Sequence, residues 1–361
     1  MPITKIAASG FSDAVNFRNI IINGDMSIAQ RGTSATGLTN GSSGYHTCDR
    51  WNFDEGGSPS SVFTQSQSTD VPTGQGFAKS LKMDCTTAQG SLGASDNIRI
   101  RQRFEGQNLQ YIKKGTSSAE SLTLSFWVKS NKTGIYIATF YDEDNNRSIS
   151  KSYTISSANT WEKKTITFAG DTSGTLDNDN AMSLELYFSL SAGSNYQSGT
   201  LNTSWNTYSD ANWLVGQVNL ADSTSNEWYI TGVQLEAGTS ASEFEFLPVD
   251  VNLQRCQRYF EKLIDVANNI NQFFIGSSYS STRNFLTIFM REVKRAEPTI
   301  ASSNVGGNIY QDSGSHSVSA LANIYTDTSN VKLDFTASVT AGDAFHYDAG
   351  SSQIVTADSE L

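Results

Sequence analysis

The chain has 361 residues, of which 17% are charged and 11% aromatic, and 25 Lys and Arg stand against 36 Asp and Glu for a net charge of −11. This length suits about two domains of roughly 100–200 residues each, with ample core. The acidic balance excludes the basic footprint of a nucleic-acid binder and electrostatic attachment to an anionic membrane.

The uncharged residues are rich in Ser, Thr, Asn and Gly, the surface of an extracellular β-protein that contacts glycans or other subunits. Cys48, Cys85 and Cys256 are odd in number and far apart, so they read as small buried hydrophobes without a disulfide framework or zinc ribbon. No run of about 18 apolar residues is present, so no membrane insertion is expected. The opening residues lack the apolar core of a signal peptide, which points to release by lysis or assembly if the protein works outside a cell.

Residues 1–18 are too short and mixed to fold alone. They read as a frayed tail or as an anchoring strap laid on a partner, with Ile3, Ile6, Phe11 and Phe17 as apolar contacts. Residues 19–31 give an apolar strand followed by an Asn-Gly turn signal, then a Gly/Ser/Thr loop from Gly32 to Gly44. Cys48–Phe53 reads as a strand, with Asp49 and Arg50 pairing elsewhere in the structure. Val62–Ser66 and Ala78–Cys85 follow as strands.

Ile98–Phe104 places Ile98, Ile100 and Phe104 on one face and Arg99, Arg101 and Arg103 on the other. The arginine row is a solvated face, a subunit contact or a patch for an acidic glycan. Tyr111–Gly115 is a turn-like connector. Leu122–Lys129 is the organising strand of the domain, with Leu122, Leu124, Phe126 and Val128 in strict alternation.

A hairpin follows, Ile135–Tyr141 and Ser148–Tyr153. Its turn carries Asp142, Asp144 and Asn146 at the alternate spacing of a calcium loop. The glycine and glutamate that such a loop needs are replaced by Arg147 and Tyr153, so an ordinary polar turn is expected. Trp161–Phe168 and Met182–Leu190 are further strands.

The long loop 193–214 carries Tyr196, Trp205, Tyr208 and Trp213. Long irregular loops are often functional, and aromatic rings stack on sugars or bury area at interfaces. These rings serve sugar contact, subunit packing or plain core cover. Glu227–Glu236 closes the domain, with a bulge expected at Gly232, where the apolar parity switches.

Pro248 marks a boundary, so the domains read as 1–18, 19–247, 248–266 and 267–361. Asp250–Ile264 reads as a helix linking two β domains, with Asp250 as its cap. Seven short strands follow: Gln272–Ser277, Phe285–Phe289, Thr299–Ser303, Asn308–Gln311, Ser317–Ala322, Val331–Phe335 and Ala344–Tyr347. Arg283, Arg291, Lys294 and Arg295 make the start of this region basic.

Catalytic signatures are missing. His46, His316 and His346 lack metal-ligand spacing, and no nucleophile elbow, P-loop or dinucleotide fingerprint occurs. Carboxylates such as Glu105 and Glu120 are too common here to single out a glycosidase pair. A non-enzymatic role is expected.

The segment Asn16–Ser34, which contains Asn23-Gly24-Asp25-Met26 and Gln30-Arg31-Gly32, is followed by Asp49-Arg50-Trp51. Together they resemble a recurring block of bacteriophage tail-fibre and related virion proteins. The stretches Leu122–Lys129, Asn159–Phe168, Ser198–Trp205 and Gly216–Gly238 resemble the rest of that domain, a jelly roll like carbohydrate-binding modules. The resemblance spans residues 16–265.

It implies a mostly β protein: a jelly-roll β-sandwich, a short linker helix and a second, smaller β-sandwich. It further implies a homotrimer in the virion, held to other virion proteins through the N-terminus and binding a host cell-surface glycan. A capsid decoration or head fibre and a glycan depolymerase are the alternatives. Modules of this type often hold a structural calcium near their first and last strands, with Asp25 and Glu236 as candidate ligands here. No other cofactor is implied.

Overall fold

A computed structural model describes residues 18–266, 273–303, 307–311, 314–349 and 353–361. The strap residues Ile3, Ile6, Phe11 and Phe17 lie outside the described residues. The chain is mostly β and divides into two compact units between Leu247 and Pro248.

The first unit contains, in chain order, β1 (Ser34–Leu38), β2 (Gly44–Tyr45), β3 (Asn52–Gly56), β4 (Val62–Ser68), β5 (Ser80–Thr87), β6 (Asn97–Glu105) and β7 (Leu122–Ser130). It continues with β8 (Gly134–Asp142), β9 (Arg147–Ile155), β10 (Glu162–Phe168), β11 (Met182–Ala192), β12 (Asn206–Thr207) and β13 (Glu227–Ala237). They form a six-stranded antiparallel sheet, β1-β4-β5-β13-β7-β10, and a seven-stranded one, β12-β9-β8-β11-β6-β3-β2. From β5 onward the chain passes back and forth between the sheets, the jelly-roll path.

Period-two alternation makes each sheet apolar on one side, and the two apolar sides close on one core. Phe126 of β7 and Phe188 of β11 meet edge to face with centroids 5.0 Å apart. Phe188 also lies beside Trp51 and Trp228, and all four are buried. The expected organising strand, β7, sits one place from the sheet edge, between β13 and β10.

Two expectations for the start of this unit are corrected. Residues 19–31 form no strand, because Asn23 and Met26 take the left-handed region at φ 58° and 60°. Asn23 instead ties the segment together, its side chain bonding the Ile28 backbone and the Asp49 carbonyl. The segment crosses β13 through Ile20 N–H to Leu235 O and Val233 N–H to Gly24 O, each 2.9 Å.

Cys48–Trp51 is likewise a turn with Arg50 at φ 71°, so β3 begins only at Asn52. Asp49 accepts from the Gln30 backbone and side chain, and Arg50 donates to the Arg103 carbonyl. Gly232 does sit in a bulge: the β13–β7 register shifts between Thr231 and Gln234 with Gly232 at φ 61°.

The second unit opens with α1 (Val249–Gln257) and β14 (Phe260–Asp265). It adds β15 (Phe273–Ser278), β16 (Arg283–Phe289), β17 (Thr299–Ser303), β18 (Gly307–Gln311), β19 (Gly314–Ser317), β20 (Ala320–Thr326), β21 (Asn330–Thr336), β22 (Ala344–Ala349) and β23 (Ile354–Asp358). A three-stranded sheet, β14-β23-β17, and a seven-stranded sheet, β19-β18-β22-β15-β16-β21-β20, share a core that includes Leu263, Leu286, Leu333, Tyr347 and Val355.

The linker helix expected over Asp250–Ile264 is therefore half helix and half strand. Phe260, Leu263 and Ile264 mimic helical spacing because a register shift between Lys262 and Ile264 in the β14–β23 pair turns two neighbours inward. Asp250 lies in the first turn of α1, where its charge suits the helix dipole, but Pro248 occupies the cap position.

Candidate carbohydrate-binding face

The outer face of the first unit's seven-stranded sheet carries most of the residues singled out from the sequence. The register aligns them in rows. Asn52, Arg101, Tyr187, Thr139 and Ser150 follow one another across β3, β6, β11, β8 and β9, and Arg103, Glu185, Tyr141 and Ser148 form the adjacent row.

The three arginines form a ladder closed by two carboxylates. Arg99 pairs with Asp54, and Arg101 reaches the same carboxylate at 2.8 Å. Arg101 lies 3.5 Å from Glu185, to which Arg103 donates at 2.5 Å. Glu185 is 2% exposed at its side chain and Asp54 7%. The arginine row is thus no open solvated face: it is built into the sheet, with water reaching it chiefly at Arg103. Each carboxylate offsets the desolvation of the guanidinium beside it.

The 193–214 loop folds over one end of this ladder. Three of the four predicted rings meet there. Trp213 is buried and takes Tyr187, Tyr196 and Tyr208 edge-on, with centroids 5.5, 5.6 and 5.3 Å away. Arg99 lies over the Trp213 and Tyr187 rings at 4.6 and 4.9 Å.

Tyr196 and Tyr208 stay half-exposed, and Tyr141 extends the patch by meeting Tyr208 edge to face at 5.3 Å. The Tyr208 hydroxyl donates to Asp210 at 2.5 Å, and burial together with that carboxylate pushes its pKa up. Burial, then Glu143 and Glu185, raises Tyr141. Both phenols therefore remain neutral donors at physiological pH. Two buried donors at the base of the patch, Trp213 Nε1 and Arg99 Nε, have no hydrogen-bond partner among the described residues, so the floor is polar. Tyr141, Tyr187, Asp54 and Glu185 carry no motif, and only the register reveals them as part of the site.

Trp205 does not join them. Its indole donates to the Ala169 carbonyl at 2.8 Å, and Lys114 lies under its ring at 5.1 Å. Lys114 is buried, pairs with Asp142 and lies 3.1 Å from Asp171, which Arg147 also holds at 2.7 Å. This buried network anchors the hairpin turn and consumes Asp142, while Asp144 accepts from the Asp177 backbone. Both fit the polar turn expected there.

The calcium candidates do not fit a cation. Both Glu236 oxygens accept hydrogen bonds, from Gln234 and from the backbone and hydroxyl of Ser242, and Arg18 lies 3.2 Å away. Asp25 accepts from the Ser27 hydroxyl. Among the described residues no group of three or more His, Cys, Asp or Glu is placed to hold a metal. Glu105 is fully buried and accepts from the Gln107 side chain, and Glu120 pairs with Lys113 at 2.9 Å.

The second unit presents a different surface. Tyr310, His346 and Ile275 lie in register across three strands of its larger sheet, and Thr287, Lys332 and Tyr325 across three others. Tyr310 and His346 stack at 4.8 Å, and Lys332 sits 3.7 Å from the Phe285 centroid. Ile275, Phe289 and Tyr325 are exposed on this face.

No family model and no curated protein matches the chain. Solved structures with a similar region include the enzymatically active domain of tailspike protein 4 of bacteriophage CBA120, 16% identical over 61% of this chain at a TM-score of 0.31; the match spans 21% of that domain. The family 11 carbohydrate-binding module of a Clostridium thermocellum cellulosomal cellulase is 12% identical over 57% of this chain and 97% of the module, with a TM-score of 0.30. The N-terminal cellulose-binding domain of a Cellulomonas fimi β-1,4-glucanase is 11% identical over 59% and 94%, with a TM-score of 0.27. Likeness at this level carries no argument about what this chain does.

Proposed function

We propose that this chain is a non-enzymatic structural protein of a bacteriophage virion, a tail fibre that attaches to host surface glycans. The observation that carries the glycan reading is the patch of Tyr141, Tyr196 and Tyr208 around buried Trp213, set beside the Arg–carboxylate ladder. Half-exposed rings offer apolar faces to a sugar ring, and the fixed guanidiniums and carboxylates offer paired donors and acceptors to its hydroxyls. The ladder neutralises most of its own charge, so a neutral or weakly charged saccharide suits it better than a polyanion. The virion reading is supported by the Asn23–Arg31 block and the Asp49-Arg50-Trp51 that follows it.

In this reading the chain assembles as a homotrimer and residues 1–18 strap it to other virion proteins. The exposed face of residues 248–361 stands at the host-facing end. Affinity then comes from many weak contacts acting together. Antibody labelling of intact particles tests the placement. Label on the tail supports the fibre, whereas label confined to the capsid supports the decoration protein and removes the attachment role. Light scattering of the purified protein tests the trimer, which a monomeric mass overturns.

A further inference from the structure

The other broad face of the first unit, on the outside of the six-stranded sheet, carries a cavity of about 250 Å³. Trp127 and Ser125 of β7 form its floor beside Gly232, Phe77 and Phe244 with Phe246 wall it, and Gln75, Lys163 and Glu243 stand at its rim. The three phenylalanines hold one another with centroids 4.8–5.1 Å apart. Their seat depends on the bulge in β13: a Cβ at Gly232 would come within 2.5 Å of the Phe77 ring, so only glycine lets that ring lie against the strand.

Three features set this cavity apart from a bare surface dent. Trp127 is half-buried, yet its indole N–H makes no hydrogen bond within the described protein, unlike the donors of Trp161 and Trp205. Lys163 and Glu243, which both line the cavity, stand 3.9 Å apart, a loose pair in which Glu243 is 95% exposed. Phe246 keeps half its surface in water despite its packing. A ligand with an apolar face and a rim of hydroxyls matches all three. Its face covers Trp127 and Phe246, one hydroxyl accepts from the indole N–H, and others insert into the open ion pair. The opposite charges at the mouth select an uncharged ligand. The volume lies below the roughly 300–1,000 Å³ of a drug-sized site.

We propose that this cavity is a second saccharide subsite that takes one neutral pyranose ring, on the sheet opposite the Tyr208 patch. It rests on the glycan reading for ligand class but uses none of the same residues. Two subsites on opposite faces of one sandwich allow a single protomer to hold two glycan strands, which raises avidity without new affinity.

The test is titration of the full chain with the methyl glycosides of glucose, galactose, mannose and N-acetylglucosamine, read by ligand-observed NMR and tryptophan fluorescence. Saturable binding of at least one glycoside is expected. Phe246→Ala, at an exposed position, and Trp127→Ala each weaken it about ten-fold or more. Trp127→Phe restores part of the loss, because the ring returns without its donor. Tyr111→Ala, at an exposed position outside both sites, leaves it unchanged. Unfolding midpoints close to wild type show that the pocket variants fold. The subsite is overturned if no glycoside binds, if both pocket variants bind as wild type does, or if an apolar peptide alone competes for Trp127. Loss only in Tyr208→Ala sinks the subsite and leaves the tyrosine patch standing. Loss only in the pocket variants does the reverse.

Discussion

Glu185 decides whether the arginine ladder is a structural unit or three surface charges in a row. Its carboxylate, 2% exposed, takes Arg103 at 2.5 Å and faces Arg101 at 3.5 Å. Glu185→Gln keeps the shape and removes the charge. Deleting one member of a buried pair costs about 3–5 kcal/mol. Arg101 keeps Asp54 at 2.8 Å and Arg103 retains some water, so the lower end, about 3 kcal/mol, is expected. Arg103→Gln leaves Glu185 with Arg101 and should cost about 1–2 kcal/mol.

The double variant should cost less than the sum by about 1 kcal/mol or more, since the shared contact is lost only once. Urea unfolding followed by tryptophan fluorescence reads this cleanly, because all six tryptophans (51, 127, 161, 205, 213 and 228) precede residue 248. With an m value of about 3 kcal/mol/M, Glu185→Gln lowers the midpoint by about 1 M. A shift worth less than about 0.5 kcal/mol, or strict additivity, would refute the buried ladder.

Other outcomes follow from the core and the titrating groups. Phe188→Ala removes a fully buried ring that touches Phe126, Trp51 and Trp228, and should cost about 3–5 kcal/mol in the same urea assay. Burial raises the Asp96 pKa, but hydrogen bonds from the Ser58 and Gly93 backbones and the Gln89 amide outweigh it and hold the carboxyl below its ordinary 3.8. A depressed carboxylate contributes fully above that value and loses its contribution as pH falls through the folded pKa. Asp96→Asn should therefore flatten the fall of urea midpoint between pH 4 and 3, and an unchanged profile would discount the hydrogen bonds. Cys48, Cys85 and Cys256 are buried and unbridged, and burial pushes the Cys85 thiol up to about 11. A thiol reagent at neutral pH should label none in the native protein and all three in urea.

Alternation was enough to read the faces of β6 and β7 from the sequence, because each strand buries one side in a two-sheet core. It failed where the backbone departs from regular geometry. The left-handed Asn23 and Met26 end the expected first strand, and the bulge at Lys262–Ile264 gives β14 the spacing of a helix.

The site was half legible. The arginine row and the loop aromatics stood out as residues. Their partners Asp54 and Glu185 lie 45 residues before Arg99 and 82 after Arg103, so neither pairing nor burial was visible locally. The same distance hides the cavity, whose Phe77 and Phe244 are far apart in the chain and meet only through the bulge at Gly232.

The most direct measurement is binding of the full-length protein to an array of purified bacterial capsular, O-antigen and teichoic polysaccharides, with released reducing ends assayed in parallel. Saturable binding to at least one polysaccharide is expected, weakened about ten-fold or more by Tyr208→Ala, with no new reducing ends. Failure to bind any polysaccharide or host cell would contradict glycan attachment, and release of reducing ends would replace the binder with a depolymerase.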